Sequence, residues 1–205
     1  KTHLSAAERR WFAPGTELGK SWLTPEDIGL TASEDYYAVA ASADQLFCLG
    51  DQAMVGIEIC EDMNAPLPPS TLLALNGANV ILNLSASAEL AGKRSKRAAM
   101  VKHYSAVCSC AYAYVSAGCT ESTADTVYSG HSLIAENGIV LTENRNQIDS
   151  DYMIVQDCDL GRIRAERRKT QNFAQVADNW LITEPYGDRL RSDGTLYHLN
   201  KLPFI

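Results

Sequence analysis

Cys60 lies at a position in the sequence where a catalytic nucleophile can occur. It follows the apolar run Val-Gly-Ile-Glu-Ile at 55–59 and precedes two acids and a proline-rich break. α/β folds place reactive groups at the carboxyl ends of buried strands. A thiolate attacks acyl carbons well when a neighbouring base or cation lowers the pKa of the thiol. Cys60 is therefore a candidate nucleophile for acyl chemistry; the alternative is a buried cysteine that acts only as a small apolar side chain.

The two acids beside Cys60 oppose that role unless a cation offsets them. Glu61 and Asp62 follow the thiol directly, and negative charge nearby raises the pKa of a thiol. Lys1 and Lys93 are the candidate cations, although sequence spacing places neither of them. Solvation of both acids at the surface is the alternative interpretation.

Hydroxyl side chains end the next predicted strand. Ser85 and Ser87 close the run that begins at 79. If this strand lies beside the strand that precedes Cys60, the two ends converge on one pocket; turn formation by small hydroxyl residues is the alternative. The basic stretch that begins at Lys93 is typical of a solvated helix face, and Lys93 itself either belongs to that face or points into the pocket.

An α/β fold must position these residues. Predicted strands cover 43–49, 53–59, 79–85, 112–116, 132–136, 139–142 and 152–158, and predicted helices cover 71–76, 93–110 and 160–176. Asn137 and Gly138 are typical of a two-residue hairpin turn, and Ser70 is a candidate N-cap. Buried strands linked through helices, with hairpins added, indicate a mixed sheet covered on at least one face. We expect the basic residues at 162–169 on the surface or in an interface.

Composition limits the classes of protein and of partner. The 205 residues include 46% hydrophobic and 21% charged residues, which is ordinary for one globular domain or at most two small ones. A formal net charge of −7 argues against nucleic acid and anionic membrane surfaces as partners. No apolar run approaches the roughly 20 residues of a membrane helix. The first residues lack the apolar core of a signal peptide, so we expect a cytoplasmic protein.

The six cysteines and four histidines have no metal-binding spacing. C-x-x-C is absent, and no histidine is paired with a cysteine at zinc-finger spacing, so we expect free thiols and no metal site. Neither the P-loop motif nor the dinucleotide-binding glycine motif occurs. The chain therefore has no sign of its own nucleotide site.

A series of motifs in a fixed order resembles one known family. It runs Gly-Ile-Glu-Ile-Cys-Glu-Asp at 56–62, Pro-Leu-Pro-Pro at 66–69, Asn-Leu-Ser-Ala-Ser at 83–87, Gly-Lys at 92–93, Tyr-Ala-Tyr-Val-Ser-Ala-Gly at 112–118, Glu-Ser-Thr at 121–123 and Gly-His-Ser-Leu-Ile-Ala-Glu-Asn-Gly at 130–138. Together these motifs resemble the glutaminase domain of glutamine-dependent NAD+ synthetases, in the nitrilase (carbon–nitrogen hydrolase) superfamily. Residues 1–184 resemble the C-terminal portion of that domain, and residues 185–205 resemble the linker to a synthetase domain.

The resemblance implies a fold and a set of site residues. The implied fold is a nitrilase-like αββα sandwich with mixed sheets, of which the N-terminal part is missing here. Cys60 matches the nucleophile of a Glu-Lys-Cys triad, and Lys1 matches the lysine that stabilises the tetrahedral intermediate. Ser87 and Lys93 match positions that hold glutamine, and Glu61 matches an acid placed near the amino group of the substrate.

The resemblance also implies a reaction and its partners. Glutamine is hydrolysed to glutamate and ammonia through a thioester on Cys60, a step that needs no cofactor. In the family the ammonia passes to a synthetase domain of the same polypeptide, which amidates deamido-NAD+ and requires ATP and Mg2+. We also expect a homo-oligomer.

Two features depart from the pattern of the family. The triad glutamate lies upstream of the lysine in the family, whereas this sequence starts at Lys1 and so lacks the general base. The segment from Lys1 to Arg10-Trp11-Phe12 is shorter than in the family and lacks its glutamine-contacting tyrosine, and Ala7 takes no role. Two alternatives stay open: a stand-alone nitrilase-type amidase acting on another amide, and an incomplete fragment that only binds glutamine or supports assembly.

Overall fold

The fold is known from a computed structural model that describes residues 1–19, 22–29, 39–40, 45–50, 52–121, 126–144, 152–170, 172–173 and 181–183. In this part of the chain the strands are β1 (Trp22–Leu23), β2 (Val39–Ala40), β3 (Gln45–Leu49), β4 (Ala53–Ile59), β5 (Val80–Ser85), β6 (Ala111–Ser116), β7 (Ser132–Glu136), β8 (Ile139–Glu143) and β9 (Leu181–Thr183). The α-helices are α1 (Pro69–Leu75), α2 (Lys93–Val107) and α3 (Leu160–Lys169).

One mixed sheet of seven strands organises the fold. Its order is β8-β7-β6-β5-β4-β3-β9. Strands β4, β5 and β6 are parallel at the centre, the pairs β3–β4, β6–β7 and β7–β8 are antiparallel, and β9 is parallel to β3. The helices α1 and α2 connect the three parallel strands, because a hairpin cannot join parallel neighbours. The predicted mixed sheet is confirmed. A separate antiparallel pair is formed by β1 and β2.

The parallel strands end side by side. The register pairs Ile59 with Leu84 across β4 and β5, and Ser85 with Ser116 across β5 and β6. Cys60 is the residue after Ile59. The strands that precede Cys60 and Ser85 are therefore neighbours, as expected, and their carboxyl ends lie on one edge of the sheet.

Helices α1 and α2 cover one face of this sheet. At Gly56 of β4, a Cβ atom would lie 3.0 Å from the Cβ of Leu73 in α1, so the helix approaches the strand as closely as only glycine allows. Buried apolar side chains fill the space between the helices and the sheet: Leu46, Ile81, Val101, Tyr112, Leu133 and Ala135. This core holds the central strands, and hence their ends, in fixed relative positions.

The opposite face of the sheet is also apolar. Ile59, Leu84 and Val115 lie side by side there, and all three are exposed in the described part of the chain. Parallel strands are usually covered on both faces. This surface agrees with the expected αββα sandwich, which requires a second sheet packed against it. None of the helices in the described ranges combines the length and apolar composition that a membrane crossing requires.

Some element boundaries differ from the predicted ones. Pro68 is the N-cap of α1, and Ser70 lies inside the first turn, so the predicted cap at Ser70 is wrong. The predicted extension of α2 to residue 110 is also wrong, because Ser109 has a φ of 41°. A left-handed residue of this kind ends a helix, and α2 accordingly stops at Val107.

The predicted strand at 152–158 is wrong. Among the described residues of this segment no strand forms. The segment is held instead by the hydroxyl of Tyr152, which lies 2.9 Å from Oγ of Ser132 and accepts a hydrogen bond of 3.0 Å from Nδ2 of Asn144. Its alternating residues suit a strand, but a strand also needs the backbone groups of a neighbour. The predicted extension of α3 to residue 176 is wrong, because the helix ends at Lys169 and the described residues at 170 and 172–173 are not helical. Residues 43–44, 174–180 and 185–205 lie outside the described ranges. Strand β9 was not predicted.

Arg167 is half-buried against the ends of α1 and α2, whereas Arg162, Arg168 and Lys169 are exposed, as expected of the basic residues at 162–169. Its guanidinium donates from Nε to the carbonyl of Ser109 (2.9 Å), from Nη2 to that of Cys108 (2.8 Å) and from Nη1 to that of Ala74 (3.4 Å). Its Cζ lies 4.7 Å from the centroid of the Phe173 ring. The last carbonyls of a helix have no partner within the helix, so one cation here satisfies the ends of both α1 and α2.

Candidate active site

Cys60 lies on a sharp turn at the end of β4. Its φ is 53°, a left-handed conformation that costs a residue with a side chain on the order of 1–3 kcal/mol. The chain passes there from the strand into a 3-10 helix, Cys60–Asn64. A strained strand-to-helix turn is how nucleophile elbows expose a reactive side chain. The half-buried thiol of Cys60 is free.

The buried carboxylate of Asp62 holds this turn through hydrogen bonds. Its side chain is 1% exposed, and Oδ2 accepts a hydrogen bond of 3.0 Å from the backbone N–H of Ile59. Oδ1 accepts from the backbone N–H groups of Thr2 (3.0 Å) and His3 (2.7 Å). The alternative that both acids are solvated is therefore wrong for Asp62. By contrast, Glu61 is half-buried.

Lys1 pairs with Glu8, a residue that the sequence did not single out. Nζ of Lys1 donates to Oε1 of Glu8, and the side chain of Lys1 is only 11% exposed. The backbone N–H and the hydroxyl of Ser5 both donate to Oε2 of Glu8 at 2.8 Å. Partial burial alone would raise the pKa of Glu8, but the hydrogen bonds from Lys1 and Ser5 outweigh it and lower that pKa. Glu8 therefore stays anionic and holds the ammonium of Lys1 in place.

The Lys1–Glu8 pair is tied to the turn that carries Cys60. Lys1 immediately precedes the two residues whose backbone N–H groups bind Asp62. Asp62 is itself part of the 3-10 helix that begins at Cys60. The contacts of Asp62 span about sixty residues of sequence, so no periodic pattern predicts them. Glu8 lies only seven residues from Lys1 and three from Ser5, and the Ser-x-x-Glu spacing at 5–8, typical of a capping box, is the sequence signal that could have identified it.

A buried carboxylate lies beneath the strand ends. Glu58, 2% exposed, accepts hydrogen bonds from the backbone N–H of Ser70 (2.9 Å), from Nδ2 of Asn83 (3.2 Å) and from the hydroxyl of Tyr112. Burial and the charge of Glu58 raise the pKa of Tyr112 far above its ordinary value. Oδ1 of Asn83 in turn accepts from Oγ of Ser85 at 2.7 Å. The network thus sets the direction of the Ser85 hydroxyl.

Ser87 and Lys93 lie on the connection between β5 and α2. The backbone N–H of Ser87 donates to Oγ of Ser116 at 3.3 Å, which holds Ser87 beside the end of β6. Lys93 is the first residue of α2 and is half-buried. Its side chain makes no hydrogen bond or ion pair with the described residues. The expectation that Ser87 lies at the edge that carries Cys60 is therefore met.

A family comparison decides the class to which this site belongs. The family described as carbon-nitrogen hydrolase matches residues 1–168, which include the turn at Cys60, the Lys1–Glu8 pair and all of α2. The chain belongs to the carbon-nitrogen hydrolase family. The resemblance drawn from the sequence motifs is confirmed at this level.

The curated relatives of this carbon-nitrogen hydrolase are longer proteins. It is 32% identical over 221 residues to the glutamine-dependent NAD(+) synthetase of Mycobacterium tuberculosis, a match that covers 100% of the chain and 30% of the relative. It is 34% identical over 174 residues to that of Mycobacterium leprae, covering 84% of the chain and 24% of the relative. The chain thus spans less than a third of the length of these relatives.

Solved structures confirm the nitrilase-like fold class. A glutamine-dependent NAD(+) synthetase from Cytophaga hutchinsonii matches with a TM-score of 0.52 and 26% identity, over 70% of the chain and 22% of that protein. Saccharomyces cerevisiae Nit3, a member of branch 10 of the nitrilase superfamily, matches with a TM-score of 0.50 and 20% identity, over 60% of the chain and 43% of that protein. The second likeness concerns the fold alone.

The candidate site combines the thiol of Cys60, the ammonium of Lys1 and the carboxylates of Glu8 and Asp62. Within the described ranges, no group of three or more His, Cys, Asp or Glu side chains could hold a metal ion. A half-buried thiol on a strained turn and a carboxylate-held ammonium tied to that turn are the parts that a thioester mechanism uses. Cys60 and Lys1, both predicted, are linked through Asp62, which was not predicted to have a structural role.

Proposed function

We propose that this chain hydrolyses L-glutamine to glutamate and ammonia, as the glutaminase part of a glutamine-dependent NAD+ synthetase. One observation carries the proposal: Cys60 lies on a left-handed turn at a strand end, and Asp62 ties the Lys1–Glu8 pair to that turn. Membership of the carbon-nitrogen hydrolase family supports cleavage of a carbon–nitrogen bond. The names of the curated relatives support glutamine as the substrate.

The proposed reaction proceeds through a thioester on Cys60. The thiolate attacks the side-chain carbonyl carbon of glutamine, a carbon–sulfur bond forms, and the carbonyl electron pair moves onto the oxygen. The ammonium of Lys1 stabilises that oxyanion, and Glu8 keeps the ammonium in place. The carbon–nitrogen bond then breaks as the nitrogen gains a proton, and ammonia leaves. Water attacks the thioester, releases glutamate and restores the thiol; the triad glutamate of the family would move these protons.

Three further side chains would bind the substrate. Ser87 and Lys93 match the positions that hold glutamine in the family, and the cation of Lys93 suits the α-carboxylate. Glu61 suits the α-ammonium, because opposite charges complement each other in a binding site. These assignments favour glutamine over amides that lack an α-carboxylate and an α-ammonium group.

The proposal extends to the protein as a whole. Residues 1–184 form the C-terminal portion of the glutaminase domain, and residues 185–205 link it to a synthetase domain. That domain uses ATP and Mg2+ to amidate deamido-NAD+ with the ammonia, whereas the glutaminase step needs neither. We place the protein in the cytoplasm as a homo-oligomer.

Covalent labelling tests the proposal. The protein is incubated with 6-diazo-5-oxo-norleucine, a glutamine analogue that alkylates glutaminase nucleophiles, and is examined by intact mass and peptide mapping. We expect one adduct on Cys60 and none in the Cys60→Ala variant. Cys158 is an internal control, because burial, Glu136 and Asp157 raise the pKa of its thiol to about 11.

Two outcomes would contradict the proposal. If iodoacetamide alkylates Cys60 but the glutamine analogue does not, the chain is an incomplete fragment without a glutamine pocket. If ammonia is released from other amides and not from glutamine, the stand-alone amidase is the better assignment. Ammonia release from glutamine that persists in Cys60→Ala would remove Cys60 from the mechanism.

A further inference from the structure

A buried arginine joins the segment that carries Ser87 to the β7–β8 hairpin. Arg97 of α2 is 3% exposed. Its Nη2 donates to Oε2 of Glu89 and, at 3.4 Å, to the hydroxyl of Ser129, and its Nε donates to Nδ1 of His131 at 3.1 Å. Ser129 also donates to Glu89 at 2.5 Å. Glu89 and Ser87 belong to the connection at 86–92, which we call the Ser87 segment.

His131 fixes the other side of this arginine. It is completely buried, and its Nε2 lies 3.0 Å from Oε1 of Glu143, which Nη2 of Arg94 approaches to 3.1 Å. A guanidinium can only donate, so Nδ1 of His131 must accept from Arg97. Nε2 then carries the proton and donates to Glu143. His131 is thus neutral, with its tautomer set by two charged neighbours.

Glu89 connects this network to the Ser87 segment. The backbone N–H of Glu89 donates to the carbonyl of Val127 at 2.8 Å. Partial burial alone would raise the pKa of Glu89, but hydrogen bonds from Ser129 and Arg97 outweigh it and lower that pKa. A buried cation that loses its partner is strongly destabilising. The Ser87 segment therefore cannot leave Arg97 without leaving a buried charge unpaired.

The same arginine lies one helical turn from Lys93. Residues four apart share a helix face, so Lys93 and Arg97 lie on the same side of α2. The two side chains proposed to hold glutamine, Ser87 and Lys93, thus flank Glu89 in the chain. Arg97 is connected to Ser87 through Glu89, which belongs to the same segment, and to Lys93 through the backbone of α2.

We infer that Arg97 and His131 are positioning residues for glutamine binding: through Glu89 they hold Ser87 and Lys93 in the arrangement that fits the substrate. The inference rests on the proposed function, which assigns those two side chains to glutamine. Neither Arg97 nor His131 contacts Cys60 in the described structure. Their loss should therefore raise KM for glutamine and leave kcat nearly unchanged.

A matched pair of substitutions at position 131 tests the inference. His131→Asn places an amide oxygen near the position of Nδ1, where it can still accept from Arg97, and loses the contact with Glu143. His131→Gln places its amide near Nε2, where it can still donate to Glu143, and leaves Nε of Arg97 without an acceptor. Both substitutions remove the same ring, so a purely structural role would affect them alike.

We expect KM to separate the two variants. Loss of a hydrogen bond to a charged group changes an equilibrium constant by about tenfold or more. We therefore expect KM of His131→Gln to rise by about that factor. KM of His131→Asn should stay within about threefold of wild type, and kcat of both within about threefold. Arg97→Lys keeps the charge but loses the donor to His131, and it should behave like His131→Gln.

Labelling rates provide a second measurement on folded protein. Alkylation of Cys60 by 6-diazo-5-oxo-norleucine should slow in His131→Gln and Arg97→Lys, while alkylation by iodoacetamide should not. Equal KM values and equal labelling rates in the Asn and Gln variants would overturn the inference while leaving the proposed function intact. A wild-type protein that neither hydrolyses glutamine nor reacts with the analogue would instead overturn the proposed function.

Discussion

The carboxylate of Asp62 accepts a hydrogen bond of 2.7 Å from the backbone N–H of His3, across 59 residues of sequence. The other oxygen of the same carboxylate binds the N–H of Ile59, the residue before Cys60. One buried acid therefore joins the segment that carries Lys1 to the turn that carries Cys60. In this molecule the relative position of the proposed nucleophile and cation depends on a residue that takes part in neither role.

Asp62→Asn should lower both the free energy of unfolding and the rate of ammonia release from glutamine. An amide at position 62 keeps one acceptor but turns its NH2 group towards a backbone donor. Hydrogen bonds to a charged group contribute about 1.5–3 kcal/mol each, so we expect the free energy of unfolding to fall by about 2–4 kcal/mol in urea titrations. The matched control is Glu166→Gln, whose acid pairs with the exposed Lys169 and should change stability by less than about 0.5 kcal/mol. Equal stabilities for the two variants would show that Asp62 does not hold the turn.

Glu8→Gln should affect kcat for glutamine more strongly than the free energy of unfolding. The substitution removes the charge that holds the ammonium of Lys1, so stabilisation of the oxyanion weakens. Loss of a preorganised oxyanion contact typically costs about 10²–10³ in rate, and because Lys1 remains present we expect kcat for glutamine to fall by about 10–100-fold.

Glu17 provides the control for Glu8. Glu17 lies 3.9 Å from Arg9 in an exposed pair, and exposed pairs contribute little. Glu17→Gln should leave kcat unchanged, as measured by ammonia release. A Glu8→Gln enzyme with wild-type kcat would remove Lys1 from the proposed transition state.

Local sequence patterns were sufficient to predict most strands of the sheet. The apolar run that became β5 and the Asn137-Gly138 turn both depend on near neighbours in the chain. Asn137 has a φ of 45° and Gly138 a φ of 83°, as the predicted hairpin turn requires. The carboxyl edge could therefore be located, and with it Cys60 and Ser85.

The contacts that complete the site depend on distant residues. Asp62 binds residues 59 and 60 positions away, and Arg97 binds His131 34 positions away. No periodicity in the sequence encodes such pairs, so Arg97 resembled an ordinary surface charge. The prediction of a strand at 152–158 was wrong for the same reason, because an alternating pattern does not specify which strand would pair with it.

His131 should make the protein less stable at mildly acidic pH. Burial and the charge of Arg94 lower the pKa of His131 below its ordinary value of 6.5. As the pH falls below about 6.5, His131 is protonated in the unfolded chain but stays neutral in the folded protein. The free energy of unfolding therefore decreases. The groups that face the ring are Arg97, Arg94, Glu143 and Tyr114.

Urea titrations from about pH 8 to about pH 3 measure this dependence. The decrease should be absent or reduced in His131→Asn, which has no titrating group at that position. A second loss of stability should follow below pH 4.5 in wild type and variant alike, because the pKa values of Glu8 and Glu89 lie below that ordinary value. A wild-type curve that is flat between about pH 7 and about pH 5 would contradict the buried neutral state of His131.

Arg167→Lys should destabilise the fold although it keeps the charge. The guanidinium donates to carbonyls at the ends of α1 and α2 at the same time, and a lysine ammonium lacks the planar fork that spans these carbonyls. Each carbonyl left buried without a partner costs about 1–3 kcal/mol, so we expect a loss of about 2–4 kcal/mol in the free energy of unfolding. Arg168→Lys is the control, since the contact from Nε of Arg168 is to the exposed carbonyl of Arg164 in its own helix. Because the ends of α1 and α2 lie away from the carboxyl edge, Arg167→Lys should retain its KM for glutamine at temperatures where it is folded, and a raised KM there would show that α3 influences the site.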